Sequence, residues 1–130
     1  MTQRKRILLV DDDHDFVEAT TAVLESAYTV EAAYGGNEGL AKAHASKPDL
    51  ILLDVIMPDE DGFTVCEELK ADPALAHVPV ILLTSLPDGW SPTGEARGRS
   101  KAEGYLEKPV RPAELLRRVD KFLSEGTQDR

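Results

Sequence analysis

The feature that most constrains this chain is a pair of short apolar runs that each end on carboxylates. Ile7–Val10 leads into Asp11–Asp13. Leu50–Leu53 leads into Asp54. Short apolar runs bounded by polar residues are typical of strands buried on both faces of a parallel sheet. Ligands of such sheets bind beyond the carboxyl ends of the strands. The pattern therefore predicts that acidic groups from two strands meet at one edge of a sheet.

Apolar residues switch along the chain between the periodicity of a strand and that of a helix. The predicted strands are Lys5–Val10, Tyr28–Ala32, Asp49–Asp54, Val78–Thr84 and Gly104–Glu107. Helices are predicted at Asp13–Ser26, at Gly36–Ser46, from Phe63 to about Ala71, and from Pro112 onward. This alternation predicts an α/β fold in which right-handed crossovers cover both faces of a parallel sheet.

One segment, Leu86–Glu103, does not fit the alternation. It is rich in proline and glycine, and between Trp90 and the last predicted strand its only apolar residues are Ala96 and Ala102. A helix here would have no apolar stripe with which to dock on the sheet. We therefore predict a long loop followed by a short or mobile helix at about residues 93–101. Trp90 is either packed locally or an anchor for a partner.

Length and composition favour a single domain. The chain has 130 residues, and we expect the domain over residues 1–124 and a polar tail at 125–130. The net charge of -9 argues against binding to nucleic acid or to an anionic membrane. No apolar stretch approaches the ~20 residues of a membrane span. Cys66 is the single cysteine and is expected in the core. Because one cysteine cannot form an intrachain disulfide, the sequence favours a cytoplasmic location.

Three carboxylates at one sheet edge, those of Asp11, Asp12 and Asp54, would repel one another. Two such charges about 4 Å apart cost around 4 kcal/mol at an effective dielectric constant of about 20. The three groups can share the edge only if the pKa of one of them rises or a cation binds among them. Mg²⁺ suits a shallow site with few carboxylates, because it prefers oxygen ligands and keeps several water molecules. Asp13 instead has the position of a helix N-cap.

Two further side chains at predicted strand ends complement these acids. Thr84 closes the fourth strand with a hydroxyl group, and Lys108 follows the fifth. Lys108 could simply neutralise the acids. A hydroxyl group, an ammonium group and a metal ion around one carboxylate would also form a cradle for a phosphoryl group. Asp54 would then be the nucleophile, as carboxylates are in aspartyl-phosphate chemistry.

Four segments carry a family likeness. They are ILLVDDD at 7–13, PDLILLDVIMPDEDG at 48–62, HVPVILLTS at 77–85 and GYLEKPV at 104–110. Over about residues 5–123, the chain closely resembles the receiver domain of bacterial two-component response regulators. The resemblance implies a flavodoxin-like (βα)5 three-layer sandwich with strand order 2-1-3-4-5. It also implies a signalling receiver that promotes its own Mg²⁺-dependent phosphorylation and dephosphorylation, rather than an enzyme with an external substrate.

The same resemblance implies a magnesium-dependent phosphoacceptor. Asp54 matches the residue that takes a phosphoryl group from a histidine kinase or a histidine phosphotransfer protein. Asp12 matches the acid that binds Mg²⁺ directly, together with Asp54 and the backbone carbonyl of Ile56. Asp11 matches the acid that usually holds the metal through water.

A second group of matching residues implies a conformational switch. Thr84 matches the hydroxyl that moves onto the phosphoryl oxygen, and Lys108 matches the cation that pairs with it; with Asp54 they form the catalytic set. Tyr105 matches the aromatic residue that turns inward as the threonine moves, although packing alone would also explain it. Pro109 matches a cis-proline. The output would be a protein–protein contact, made by a monomer or by a phosphorylation-dependent dimer.

Two apolar residues flank the predicted site. Ile56 and Leu86 each follow a site residue, Asp54 and Thr84, at an interval of two. Bulky apolar groups at these positions would hinder the hydrolytic water. We therefore predict a comparatively persistent aspartyl phosphate.

Three other functions compete with the signalling receiver. A metal-dependent phosphatase or nucleotidyl enzyme of a related open-sheet fold would usually carry a DxDxT loop, and Asp11–Asp15 lacks the threonine. A flavodoxin-like cofactor binder would want a loop rich in serine, threonine and glycine after the first strand. A degenerate receiver would act only as a scaffold, which the joint presence of Asp12, Asp54, Thr84 and Lys108 disfavours.

Overall fold

The predicted parallel sheet is present and has the predicted strand order. The computed structural model describes residues 4–85 and 101–128. Its strands are β1 (Arg6–Val10), β2 (Thr29–Ala33), β3 (Leu50–Asp54), β4 (Val80–Thr84) and β5 (Gly104–Glu107). They form one five-stranded sheet in the order β2-β1-β3-β4-β5. Every neighbouring pair is parallel, so all carboxyl ends lie along one edge.

The described helices are α1 (His14–Leu24), α2 (Gly36–Ser46), α3 (Gly62–Ala71) and α4 (Pro112–Gln128). Helix α1 begins where predicted because the Asp13 carboxylate accepts the backbone N–H of Phe16 at 3.2 Å and caps the helix. Strand β4 begins at Val80, two residues later than predicted. The preceding residue, Pro79, has no N–H to donate to a strand ladder.

Two apolar clusters pack against opposite faces of the sheet. Leu8 and Ile51 lie on the face covered by α2 and α3. Leu9 and Leu52 lie on the face covered by α1 and α4. Successive residues of one strand point to opposite faces, which explains why the central strands are apolar throughout. Cys66 is fully buried in the first cluster, as predicted.

Gly39 allows α2 to approach the sheet closely. Glycine is a poor helix former, so at this position it lowers the stability of the helix itself. A Cβ atom at this position would lie 2.9 Å from Cγ2 of Val10, so a larger residue would push the helix away from β1. The glycine therefore brings α2 against the strand that delivers Asp11 to the sheet edge.

The C-terminal part of the chain differs from the prediction in one respect. Helix α4 continues to Gln128, within the segment 125–130 that was predicted as a tail. The domain boundary at 124 stays a prediction.

The predicted helix at 93–101 lies outside the described residues except for Lys101, which is not helical. Trp90 and Leu86 also lie outside the described residues. No described helix is both long enough and apolar enough to cross a membrane.

Candidate functional site

Three carboxylates meet at the carboxyl edge of the sheet. Strands β1 and β3 are neighbours, with Val10 paired with Leu53, so Asp11 and Asp54 follow on adjacent strands. One oxygen from each of Asp11, Asp12 and Asp54 lies within 4.8 Å of the others. Asp11 and Asp54 are 0% and 3% exposed, whereas Asp12 is exposed. The fold therefore brings the three acids together at the sheet edge, as predicted.

Lys108 points into this cluster. Its Nζ lies 2.6 Å from Oδ2 of Asp11 and 3.5 Å from Oδ1 of Asp54. Its backbone N–H donates to the carbonyl oxygen of Thr84 at 2.7 Å, which ties the start of the β5–α4 loop to the end of β4. The peptide bond between Lys108 and Pro109 is cis, as the resemblance implied.

The two buried acids differ in how their oxygens are satisfied. Asp11 accepts hydrogen bonds on both oxygens, from the backbone N–H of Asp13 at 2.9 Å and from Nζ of Lys108. Oδ1 of Asp54 is buried and accepts no hydrogen bond from any described residue. Burial, reinforced by the charge of Asp11 and opposed by Lys108, raises the pKa of Asp54 to about 6. Oδ1 of Asp54 thus faces the Lys108 ammonium at 3.5 Å but, unlike the oxygens of Asp11, accepts no hydrogen bond from the described residues.

These residues fit a hard divalent cation. All the candidate side-chain ligands are carboxylate oxygens, which Mg²⁺ prefers, and the exposed Asp12 gives access to a partly hydrated ion. A buried carboxylate oxygen without a hydrogen bond is costly, and a cation beside it would remove that cost. Asp11 already accepts two hydrogen bonds, which suits a contact with the metal through water.

The remaining predicted site residues lie around the same edge. Thr84 is the last residue of β4 and is 9% exposed; in the ladder it lies one residue beyond Leu83, the partner of Asp54. Ile56 follows β3 and is 51% exposed. Tyr105 lies in β5, partly buried against the cluster on the α2 and α3 face. The switching role of Tyr105 stays a prediction.

The loop between β3 and α3, which carries Ile56, is anchored near Asp59 and at Gly62. Gly62 lets α3 begin directly against β3, because a Cβ atom there would lie 2.3 Å from the carbonyl oxygen of Asp54. Asp59 accepts the backbone N–H groups of Gly36 and Asn37, both at 3.0 Å, and so docks the loop on the start of α2. The contact of Asp59 with α2 is not recognisable from the sequence. Its only signal was an acid in a turn, and nothing linked it to α2.

Phe16 is a second neighbour of the site that is not recognisable from the sequence. Nζ of Lys108 lies 4.2 Å from the centre of the Phe16 ring. In the sequence, Phe16 is recognisable only as an apolar residue within the first predicted helix. No local pattern pairs residues this far apart in the chain, so the contact follows from the fold alone.

Comparison with known proteins identifies the family of this chain. The model of the response regulator receiver domain matches residues 7–120. The chain belongs to the response regulator receiver domain family. As a receiver, it is a module of two-component signalling. It is 44% identical over 119 residues to the response regulator PleD of Caulobacter vibrioides. It is 40% identical over 124 residues to the DNA-binding dual master transcriptional regulator RpaA of Synechocystis sp..

Solved structures share the fold of this receiver. A CheY-like receiver domain protein from Methanospirillum hungatei has a TM-score of 0.88 and 30% identity, covering 98% of this chain and 100% of that one. The chemotaxis response regulator CheY4 of Vibrio cholerae has a TM-score of 0.83 and 30% identity, and the match covers 92% of this chain and 99% of that one.

The curated relatives are longer than this chain. The matches cover 88% of this chain but 25% of PleD, and 91% of this chain but 48% of RpaA.

Proposed function

We propose that Asp54 of this receiver accepts a phosphoryl group from a phosphohistidine on a histidine kinase or a histidine phosphotransfer protein. The observation that carries the proposal is the buried Oδ1 of Asp54, which accepts no hydrogen bond from the described residues and lies 3.5 Å from the Lys108 ammonium. This buried oxygen is available to form a new bond, and the Lys108 ammonium lies on the same side of the carboxylate. The predicted cytoplasmic location is part of the proposal.

The transfer exchanges one bond for another. A carboxylate oxygen of Asp54 attacks the phosphorus atom, so that an O–P bond forms as the P–N bond of the phosphohistidine breaks. The imidazole leaves with the electron pair of that bond and takes up a proton. Lys108 neutralises charge on the phosphoryl oxygens, and the reaction needs little beyond positioning and positive charge.

Asp12, Asp54 and the backbone carbonyl of Ile56 would hold Mg²⁺ directly, with Asp11 acting through water. Bound there, the ion would offset the repulsion among the carboxylates and the negative charge of the incoming phosphoryl group. Asp11 has a second task in this scheme. Its short contact with Nζ of Lys108 at 2.6 Å keeps the ammonium at the edge where the phosphoryl group arrives.

Phosphorylation would then shift the conformational population. Thr84 would donate its hydroxyl to a phosphoryl oxygen, and Tyr105 would turn inward as the threonine moves. The shift is limited by how much better these contacts are in one conformation than in the other. The output would be a protein–protein contact, made by a monomer or by a phosphorylation-dependent dimer.

Acetyl phosphate offers a direct test, because it donates a phosphoryl group without a partner protein. The protein is incubated with Mg²⁺ and acetyl phosphate, and the modified residue is identified by mass spectrometry. We expect one added phosphoryl group on Asp54 and none in Asp54→Asn or in wild type with EDTA. Asp120→Asn, which neutralises an exposed acid on α4, should behave as wild type.

Two results would contradict the proposal. One is phosphorylation of Asp54→Asn to the wild-type extent. The other is continuous Mg²⁺-dependent turnover of an external phosphate ester without a modified Asp54, which would favour the phosphatase alternative.

A further inference from the structure

The ammonium of Lys108 has an aromatic neighbour as well as its two anionic ones. Nζ lies 2.6 Å from Asp11, 3.5 Å from Asp54 and 4.2 Å from the centre of the Phe16 ring. The Lys108 side chain is only 14% exposed. The cation is therefore largely shielded from water and is held by the two carboxylates and the aromatic ring.

The position of the ring is tied to the site by a closed set of contacts. Asp11 accepts the N–H of Asp13 at 2.9 Å, and the carboxylate of Asp13 accepts the N–H of Phe16 at 3.2 Å. The ring of Phe16 then meets Lys108, whose ammonium returns to Asp11. The first turn of α1 thus fixes the ring relative to the acid that holds the lysine.

From these contacts we infer that Phe16 is a positioning residue for phosphoryl binding, acting through Lys108. The inference rests on the proposed role of Asp54 as phosphoacceptor. The face of an aromatic ring attracts an ammonium group but carries no net charge. Phe16 can therefore hold the cation beside Asp54 without neutralising it, whereas a third carboxylate would compete with the phosphoryl oxygens for the same charge.

The chemistry of the ring separates this role from packing alone. Leucine would fill part of the same space against the core but has no ring face to attract the ammonium. Tyrosine and tryptophan keep such a face, and tryptophan binds cations most strongly. We expect Phe16→Leu to weaken binding of beryllofluoride, a phosphoryl mimic, by about 3- to 10-fold in the presence of Mg²⁺. Phe16→Trp or Phe16→Tyr should retain most of the affinity.

A matched control comes from α4. Phe122 is a partly buried phenylalanine that packs against the same core cluster as Phe16. Phe122→Leu should lower stability but leave the affinity for beryllofluoride within twofold of wild type. All variants are compared at a temperature at which circular dichroism shows each to be folded.

A double-mutant cycle with Lys108→Met tests whether Phe16 acts through the lysine. If it does, Phe16→Leu should have little further effect on beryllofluoride binding once the ammonium is absent. A second readout needs no phosphoryl mimic. The ε-methylene protons of Lys108 should show an upfield ring-current shift in wild type and in Phe16→Tyr, and should lose it in Phe16→Leu.

The outcomes distinguish the two proposals. If wild type binds beryllofluoride and Phe16→Leu binds it equally well, the role of Phe16 is wrong while the proposed function stands. The role is also wrong if the effect of Phe16→Leu persists in the Lys108→Met background. If wild type binds no beryllofluoride and accepts no phosphoryl group on Asp54, the proposed function fails, and the role of Phe16 fails with it even if the ring-current shift is present.

Discussion

Asp12 is the exposed member of the three-carboxylate cluster, whereas Asp11 and Asp54 are buried. Its charge adds to the repulsion at the sheet edge, and its exposure lets a hydrated ion reach it. A change at Asp12 leaves no cavity in the core. It therefore tests the electrostatics of the site more cleanly than a change at either buried acid.

We expect Asp12→Asn to have opposite effects without and with Mg²⁺. In EDTA the variant should be more stable than wild type by up to about 1 kcal/mol, because one repulsive charge is gone. In millimolar Mg²⁺ wild type should gain stability and the variant should gain little. Urea unfolding under both conditions measures the effect. Asp15→Asn, a change of an exposed acid outside the cluster, is the control. Equal stabilisation of Asp12→Asn and wild type by Mg²⁺ would contradict the assignment.

Ile56 is 51% exposed although it is large and apolar. It lies two residues beyond Asp54 in the chain, in the loop that follows β3. An apolar group there offers no hydrogen bond to a water molecule that approaches the phosphoryl group. This feature supports the predicted persistence of the aspartyl phosphate.

Replacing Ile56 with a polar residue tests that persistence. We expect Ile56→Asn to lose its phosphoryl group several-fold faster than wild type, because the amide can orient water. Ile56→Leu keeps an apolar group of the same size and should decay at the wild-type rate. The measurement is the decay of protein labelled on Asp54, after removal of the donor. Slower decay in Ile56→Asn than in wild type would make the prediction wrong.

At the level of secondary-structure elements, the loop between β3 and α3 is docked on α2 through Asp59. The two hydrogen bonds from Gly36 and Asn37 hold the pKa of Asp59 below its usual range. A carboxylate also interacts favourably with the partial positive charge at a helix N-terminus. The loop that carries Ile56 is therefore held in place partly by a single charge.

Asp59→Ala should lower the free energy of unfolding by about 1 kcal/mol at neutral pH, as loss of a helix cap does. Because the folded pKa is lowered, the stabilisation is complete above the ordinary pKa near 4 and is lost as pH falls through the folded value. The difference in unfolding free energy between wild type and variant should thus shrink as the pH falls below the ordinary pKa. Denaturant unfolding at pH 7 and pH 3 measures this difference, with Asp120→Ala as a control that changes little. An equal difference at both pH values would indicate that packing, not charge, is lost.

The elements that the sequence predicts best are those with a one-dimensional signal. Strands β3 and β4 are almost wholly apolar and end on Asp54 and Thr84, so the strands, and the position of these two candidate site residues at the sheet edge, could be predicted. Contacts that depend on two distant segments could not. Phe16 meets Lys108 and Asp59 meets α2 only because the fold brings them together. The benefit of Gly39 could not be predicted for the same reason, since it lies in the close approach of α2 to Val10.

At the level of the whole molecule, the site lies where the chain reverses the direction in which it adds strands. Strand β2 lies on one side of β1, and β3, β4 and β5 lie on the other. Crevices form at the carboxyl edge at such a switch point. Asp11, Asp54, Thr84 and Lys108 come from or directly follow four different strands, so a ligand that contacts them all would link most of the sheet.

A ligand that needs this assembled edge binds only the folded protein and should stabilise the whole domain. The gain is about 2.7 kcal/mol when free ligand is 100 times its dissociation constant. For a chain of this size each kcal/mol raises Tm by roughly 3–5 °C. We expect Mg²⁺ with beryllofluoride to raise Tm of wild type in a concentration-dependent manner. In Asp54→Asn the part due to beryllofluoride should vanish. Differential scanning calorimetry over a beryllofluoride series measures it, and an equal shift in Asp54→Asn would mean that the mimic binds elsewhere.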